Sequence, residues 1–304
     1  MQRNVLLGLT ALLLSAYLFA ASGPLAKVLY GIGWPPGSVA LLRLAGATAL
    51  LSAPTLLALR GRWDEVRRRW KAIMGYGIVA MAGVQIFFFL ALEHLSVAVA
   101  VLVEMMGAPV LIVVWVWLRT RRFPGAVICA GLVVCLVGMM LVLDFRGARM
   151  SWLGLALAVA AAGCMAGYFM VSSNQSINLP PIAFTGLGMA VGAVVAVITT
   201  LTKLTPAEFV VADVDFAGFA VSWWVPALLL LFTTAGAYWL GLIGLRHLGP
   251  TLGSFANLTE VPFSTITAWV ILGEALTGWQ LVGGLVILAG IVLVKARDPE
   301  RPVA

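Results

Sequence analysis

An all-α integral membrane protein of ten transmembrane helices, built as two inverted five-helix repeats, is the fold this sequence predicts. Three observations carry that expectation: the composition, the spacing of apolar runs, and an ordered series of internal matches. Of the 304 residues, 62% are apolar and 10% charged, with a mean hydropathy of +1.06. Soluble domains have about 45–50% apolar and about 25% charged residues. A globule of this length needs polar residues to cover its surface, and this chain lacks them. That excludes a soluble enzyme, a disordered regulator and a disulfide-stapled secreted domain. Ten spans of about 20 residues use about 200 and leave about 100 for loops and tails, too few for a folded domain outside the bilayer.

Breaking the apolar runs at charge clusters and Pro/Gly pairs places helices at 5–30, 37–59, 72–92, 97–118, 124–143, 151–173, 181–202, 222–245, 251–272 and 279–294. The first, with Arg3 ahead and Ala20-Ala21-Ser22 within it, has the look of a signal peptide. Its opening Leu7-Gly8-Leu9 returns as Leu153-Gly154-Leu155 at the sixth helix, which argues for a retained span. Pro35-Pro36 precedes the second helix, and a basic cluster from Arg60 to Lys71 follows it. The third runs to a turn at His94, and the fourth ends at Arg119, Arg121 and Arg122. The fifth starts at Pro124, the seventh follows Pro180-Pro181, and the eighth ends at Arg246-His247. The ninth is the most polar, with Ser254, Asn257, Thr259, Glu260, Ser264, Thr265 and Thr267, and the tenth lies between Trp279 and Lys295.

Charge sets the expected orientation. With the N-terminus inside, fourteen of the 19 basic residues face the cytoplasm: Arg3, the group from Arg60 to Lys71, Arg119, Arg121, Arg122, Arg246, Lys295, Arg297 and Arg301. Only Arg146, Arg149 and Lys203 face outward, near the acidic stretch of Glu208, Asp213 and Asp215. The same bias accounts for the net charge of +7 without invoking nucleic acid. Trp34, Trp63, Trp70, Trp152, Trp223 and Trp279 fall near span ends, where indoles favour the headgroup region.

The two halves, 1–150 and 151–304, repeat. At an offset of 153 residues, His94-Leu95 matches His247-Leu248, Pro109 matches Pro262, Gly125 matches Gly278 and Gly131-Leu132-Val133 matches Gly284-Leu285-Val286. Five spans per unit is an odd number, so the second unit is expected upside down relative to the first. Inverted repeats characterise secondary transporters, which bind cargo between the halves and rock around it.

A charge at mid-membrane costs a few kcal/mol, so Lys27, Arg43, Glu104 and Glu260 each need a reason. At 1.5 Å per residue, Arg43 lies roughly 9 Å, Glu104 roughly 10 Å and Lys27 roughly 5 Å below the outer helix ends, with Glu260 roughly 13 Å from the inner side. Arg43, helped by Lys27, is expected to hold a substrate carboxylate, and Glu104 its ammonium group. Asn257 and the hydroxyls of the ninth helix form the other wall, and Tyr17 and Tyr168 are candidate lining residues. Glu104 and Glu260 are the candidate proton carriers. Structural readings stand beside these: Lys27 snorkelling to headgroups, an Arg43–Glu104 ion pair, and Glu260 satisfying donors freed by Pro262. Others are His94 and His247 as turn or capping residues, and Tyr17, Tyr168, Tyr238 and Trp239 as core packing. The Gly163/Gly167 and Gly188/Gly192 pairs read as close helix contacts.

No lysine is followed by Ser or Thr, so the chain has no Walker A motif and no ATP-driven pump is implied. There is no H-E-x-x-H, the histidines lie on opposite faces, and Cys129, Cys135 and Cys164 sit singly in apolar runs. No cofactor, metal or catalytic residue is expected. The partners expected are the bilayer, a small-molecule substrate and protons.

Gly273-Glu274-Ala275-Leu276-Thr277, Gln280-Leu281-Val282-Gly283 and Leu288-Ala289-Gly290 resemble the second repeat of EamA-type transporters in the drug/metabolite transporter superfamily. Leu25-Ala26-Lys27, Leu41-Leu42-Arg43-Leu44, Val103-Glu104 with Gly107 and Pro109, and Arg121-Arg122 with Pro124 are similar to the threonine/homoserine exporter branch. The resemblance spans essentially the whole chain. It implies ten helices, an inner-membrane location, and export of small metabolites, often amino acids, against protons. Such relatives often place Glu immediately before Pro in the ninth helix, whereas here Val261 intervenes. Many also carry Trp near the Cys of the sixth helix, where this chain has Gly163-Cys164-Met165-Ala166-Gly167-Tyr168. Two rivals remain: an exporter of cationic or aromatic drugs, disfavoured by Lys27 and Arg43, and an integral membrane enzyme, disfavoured by the lack of a catalytic cluster.

Overall fold

The computed structural model describes residues 2–143, 150–273 and 275–295. Arg146, Arg149, Glu274, Arg297 and Arg301, used above, lie outside the described residues, as does the side chain of Arg3. The described chain forms α1 (Gln2–Gly31), α2 (Pro36–Ala58), α3 (Trp63–Leu92), α4 (Val97–Thr120) and α5 (Ala126–Val142). It continues as α6 (Trp152–Ser172), α7 (Pro181–Leu201), α8 (Trp224–Leu248), α9 (Pro250–Leu272) and α10 (Gly278–Lys295). Nine of these are long and apolar enough to cross a membrane. The tenth, α5, has 17 residues, the lower end of the range for a span.

The helix boundaries have local causes. Pro36 and Pro181 open α2 and α7 at the first helical turn, where the missing N–H costs nothing. Ser151 caps α6, its Oγ accepting from the Gly154 amide at 3.0 Å. Between α8 and α9 the chain reverses at Gly249, whose φ of +80° suits a residue without Cβ, and Pro250 starts the next helix.

Two elements differ from the expected ones. Helix α3 starts at Trp63, nine residues before the expected 72, because the basic cluster is an amphipathic helix rather than a loop. Asp64 and Glu65 in its first turn oppose the helix dipole. The connection between α7 and α8 holds a hairpin, β1 (Asp213–Phe216) paired antiparallel with β2 (Phe219–Ser222). Its two-residue turn, Ala217-Gly218, has positive φ at both positions, which matches the twist of paired strands. The Ala217 amide also bonds to Ile271 O at 3.1 Å, tying the hairpin to the end of α9.

Helix packing follows the internal repeat. Helix α1 lies along α8 and α3 along α6, α4 packs on α6 and α1 on α9, α2 pairs with α7, and α5 pairs with α10. Exchanging α1–α5 with α6–α10 swaps α1–α8 with α3–α6 and α4–α6 with α1–α9, and leaves α2–α7 and α5–α10 unchanged. The matched residues meet across the units. A Cβ on Gly8 would lie 2.7 Å from His247 Cβ, and one on Gly154 would lie 2.8 Å from His94 Cβ and 2.7 Å from Leu95 Cγ. The repeated Gly and His-Leu motifs are therefore two halves of one contact, made twice. His94 lies in the α3–α4 turn, while His247 Nδ1 meets Ile243 O at 2.8 Å in the last turn of α8.

The Gly188/Gly192 pair is a close seam: Gly188 faces the Tyr76 ring, and a Cβ on Gly192 would meet Met81 Cβ at 2.8 Å. The Gly163/Gly167 pair is not. Nothing lies within 4 Å of a Cβ on Gly163, because α6 turns Ala158, Ala161, Ala162 and Ala166 inward instead. Overpacking a close seam costs about 1–3 kcal/mol. Gly154→Ala is therefore expected to lower thermal stability in detergent by that amount, with Gly163→Ala neutral or slightly stabilising. Equal melting temperatures for the two variants would contradict the contact.

Candidate functional site

Helix α2 carries Arg43 within a π-helical stretch, Leu42–Gly46. Such widened turns often accompany functional positions. Here Arg43 is half-buried, and its Nε donates to Thr234 Oγ1 at 3.1 Å. Thr234, on α8, is fully buried. A second π-helical stretch, Tyr76–Gly83, lies in α3 and begins at the buried Tyr76.

Helix α4 brings Glu104 inside, 5% exposed. Nearby Gly107 lets α4 approach α6, since a Cβ there would lie 2.7 Å from Ala162 Cβ. Pro109 sits within α4, which continues as a helix through it.

Helix α9 is discontinuous. It divides into Pro250–Asn257 and Glu260–Leu272, with Leu258 and Thr259 in a turn between them. Pro262, without an N–H, cannot donate to a preceding carbonyl, and the break falls just before it. Asn257 ends the first segment, Glu260 opens the second, and Asn257 Nδ2 donates to Glu260 Oε2 at 3.1 Å. A carboxylate at the first turn of a half-helix faces the positive end of its dipole. In the repeat register, Glu104 corresponds to Asn257 and Gly107 to Glu260. Equivalent helices thus carry their carboxylates one turn apart.

The charges of Glu260 and Arg43 both act on Glu104, and that of Arg43 acts on Glu260. Tyr238 feels all three, and Tyr168 feels Glu260. The tyrosines form a contiguous aromatic patch. Tyr168 packs edge-on against Tyr238, with centroids 5.6 Å apart, and stacks on Tyr76 at 6.1 Å. Tyr76 Oη in turn accepts from Ser172 Oγ at 3.3 Å. The Tyr168 hydroxyl is buried against Gly241 of α8 with no hydrogen-bond partner among the described residues.

Of the residues singled out in the sequence, Arg43, Glu104, Asn257, Glu260 and Tyr168 come together. Tyr17 is 47% exposed on α1 and meets Phe263 edge-on at 5.8 Å. Lys27 is at an exposed position of α1, four residues before its end at Gly31. Most hydroxyls of α9 turn back on their own helix: Ser254 donates to Thr251 O, Thr259 to Ala256 O, and Ser264 and Thr265 to Val261 O, while Thr267 also reaches Ala20 O of α1 at 3.3 Å. They satisfy carbonyls around the break instead of projecting freely. Thr234 and Tyr76 were not anticipated. Thr233-Thr234 in the middle of an apolar run was the signal for the first; nothing in the sequence marked the second.

The cluster places two carboxylates within electrostatic reach of one guanidinium, with Glu260 at the break of a discontinuous helix. With both carboxylates ionised, one negative charge would be left without compensation, which is costly in a buried site.

Known proteins agree with this architecture. The EamA-like transporter family matches residues 6–144 and again residues 152–296. The threonine/homoserine exporter RhtA of Salmonella typhimurium is 27% identical over 304 residues, covering 97% of this chain and 95% of that protein. The Escherichia coli K12 protein of the same name is 27% identical, covering 94% and 91%. The uncharacterized transporter YwfM of Bacillus subtilis is 21% identical, covering 96% and 95%. One solved crystal structure superposes with a TM-score of 0.73 at 21% identity, covering 97% of this chain and 98% of that one, and it supports the fold alone. With both helical units matched and ten apolar helices in place, this chain is a multi-pass membrane transporter and belongs to the EamA-like transporter family.

Proposed function

We propose that the protein is a secondary active exporter of small zwitterionic metabolites, foremost neutral amino acids such as threonine or homoserine. It exchanges them for protons by alternating access between two inverted units, 1–150 and 151–304. The observation that carries this reading is the cluster of Arg43, Glu104 and Glu260 beside the α9 break. The substrate carboxylate pairs with the guanidinium edge of Arg43 left over from Thr234, and its ammonium group takes a carboxylate. One proton or one ammonium group balances the remaining negative charge, so release of one draws in the other. Tyr168 and Asn257 border the bound substrate, and Lys27 attracts its carboxylate from the outer side. The relatives named as threonine/homoserine exporters support the substrate class.

The test is efflux of labelled threonine and homoserine from proteoliposomes under an imposed pH gradient. Efflux that accelerates with the gradient and is lost in Arg43→Ala is the expected result. Efflux indifferent to the gradient would overturn proton exchange, and unchanged efflux in Arg43→Ala would overturn the role of Arg43.

A second reading, export of cationic or aromatic drugs, is favoured by Tyr76, Tyr168 and Tyr238 packing beside two carboxylates. Drug-resistance profiles of an overexpressing strain separate the two readings.

The protein is placed in a bacterial-type inner membrane with both termini cytoplasmic. In a variant lacking Cys129, Cys135 and Cys164, Asp213→Cys is expected to react with an impermeant reagent on intact cells, and Trp63→Cys only after lysis. Labelling of position 63 on intact cells would reverse the orientation.

A further inference from the structure

At the end of the bundle where α1 begins, three chain segments border a widely open cavity of about 420 Å³. They are the α2–α3 turn, the α6–α7 connection and the last turn of α8. Arg62, Gln175, Asn178, Arg246 and His247 line it, with Ile177 on its apolar side, and among the described residues no carboxylate lines it. None of its lining residues is among those gathered at the candidate transport site.

Its cationic side is fixed in place. Arg246 Nη1 donates to Leu179 O at 2.9 Å and Nη2 to Ile177 O at 3.3 Å, while Gln175 Nε2 donates to Arg246 O at 3.0 Å. Neutral carbonyls orient this guanidinium without cancelling its charge. Its Nε is buried with no hydrogen-bond partner among the described residues. Arg62 stands exposed at the other wall.

The surroundings give the depth of the cavity. Arg62 leads directly into the amphipathic start of α3, Trp63–Gly75, which carries Arg67, Arg68, Arg69 and Lys71. Trp63 and Trp70 are 52% and 55% exposed, and the Lys71 ammonium lies 5.8 Å from the Trp70 ring centroid. Arg69 Nη2 donates to Ser176 O at 2.7 Å, joining this stretch to the cavity rim. Exposed indoles interleaved with basic residues belong at headgroup level. Asp64 and Glu65, in the first turn of the same helix, are outside the lining.

We propose that this cavity binds the phosphate of an anionic phospholipid, which bridges the α2–α3 turn to the ends of α6 and α8. Basic pockets between membrane helices are suited to such headgroups, and guanidinium groups to phosphate oxygens. The site stands independently of the transported substrate.

The test uses the full-length protein in mild detergent, with native mass spectrometry and thermal unfolding as readouts. The probes are phosphatidylglycerol, phosphatidylcholine and inorganic phosphate. Wild type is expected to retain phosphatidylglycerol about fivefold or more over phosphatidylcholine, and to be stabilised by it. Arg62→Gln is expected to reduce that preference about fivefold, the effect of one basic residue near an anionic surface. Asn178→Glu, which puts a carboxylate in the cavity, should abolish the preference, whereas Arg67→Gln with Arg68→Gln should retain most of it.

Equal retention of the two lipids would overturn the proposal. So would a preference that Arg62→Gln and the Arg67/Arg68 pair reduce alike, since that is general surface attraction. Inorganic phosphate that stabilises as strongly as phosphatidylglycerol would overturn the lipid as its source and assign a soluble phosphate. Should Asn178→Glu fail to fold, Arg62→Gln, at an exposed position, carries the test.

Discussion

Replacing Glu104 with Gln is expected to abolish proton-driven export while leaving the protein folded. Gln keeps the shape of the side chain and its hydrogen-bonding capacity but cannot ionise, so it holds neither a proton nor a substrate ammonium group. Arg43 keeps its bond to Thr234 in this variant, because that partner is neutral and unaffected. Stability is therefore expected to stay within about 1 kcal/mol of wild type. The alternative is a structural Arg43–Glu104 pair, whose one-sided removal costs about 3–5 kcal/mol. A poorly folding Glu104→Gln, rescued when Arg43 is also neutralised, would establish that alternative. Should the rescued double mutant also export against the gradient, the proton site would move to Glu260.

Arg43→Met is the change with the next largest expected effect. It removes the guanidinium that acts on both Glu104 and Glu260 and leaves Thr234 Oγ1 without its donor. Losing that bond costs about 1–3 kcal/mol, visible as a lower unfolding temperature. The transport effect is larger, because no fork remains for a substrate carboxylate. Arg43→Lys keeps a charge and is still expected to fail. A single ammonium group cannot hold Thr234 and present a flat pair of donors at once. Substrate efflux at wild-type rate in Arg43→Lys would show that charge alone suffices and that the guanidinium geometry is irrelevant.

Most of the helices were legible because each boundary has a local cause: a Pro pair before α2 and α7, Ser151 before α6, Gly249-Pro250 between α8 and α9. The start of α3 is hidden in the sequence because a charge cluster interrupts the apolar run there, although Asp64, Glu65 and the indoles make it a surface helix. The hairpin is not legible in the sequence because four-residue strands leave too short an alternation. At the candidate site, Arg43, Glu104 and Glu260 stood out by a single property, an ionisable group inside an apolar run. The same property picked out Lys27, which lies at an exposed position near the end of α1.

Composition and the order of residues along the chain were enough to establish a membrane protein, its helices, its two-fold internal repeat and the family resemblance. These depend on local hydropathy and on motif order, which need no knowledge of neighbours in space. Packing settled the rest. It joined Gly8 to His247 and Gly154 to His94, widened α2 at Arg43 and seated that residue on Thr234. It also separated Gly188 and Gly192, which touch a neighbouring helix, from Gly163, which does not. Such outcomes depend on which face of a helix meets another helix. Within a span apolar on nearly all sides, no hydropathy pattern distinguishes one face from the next.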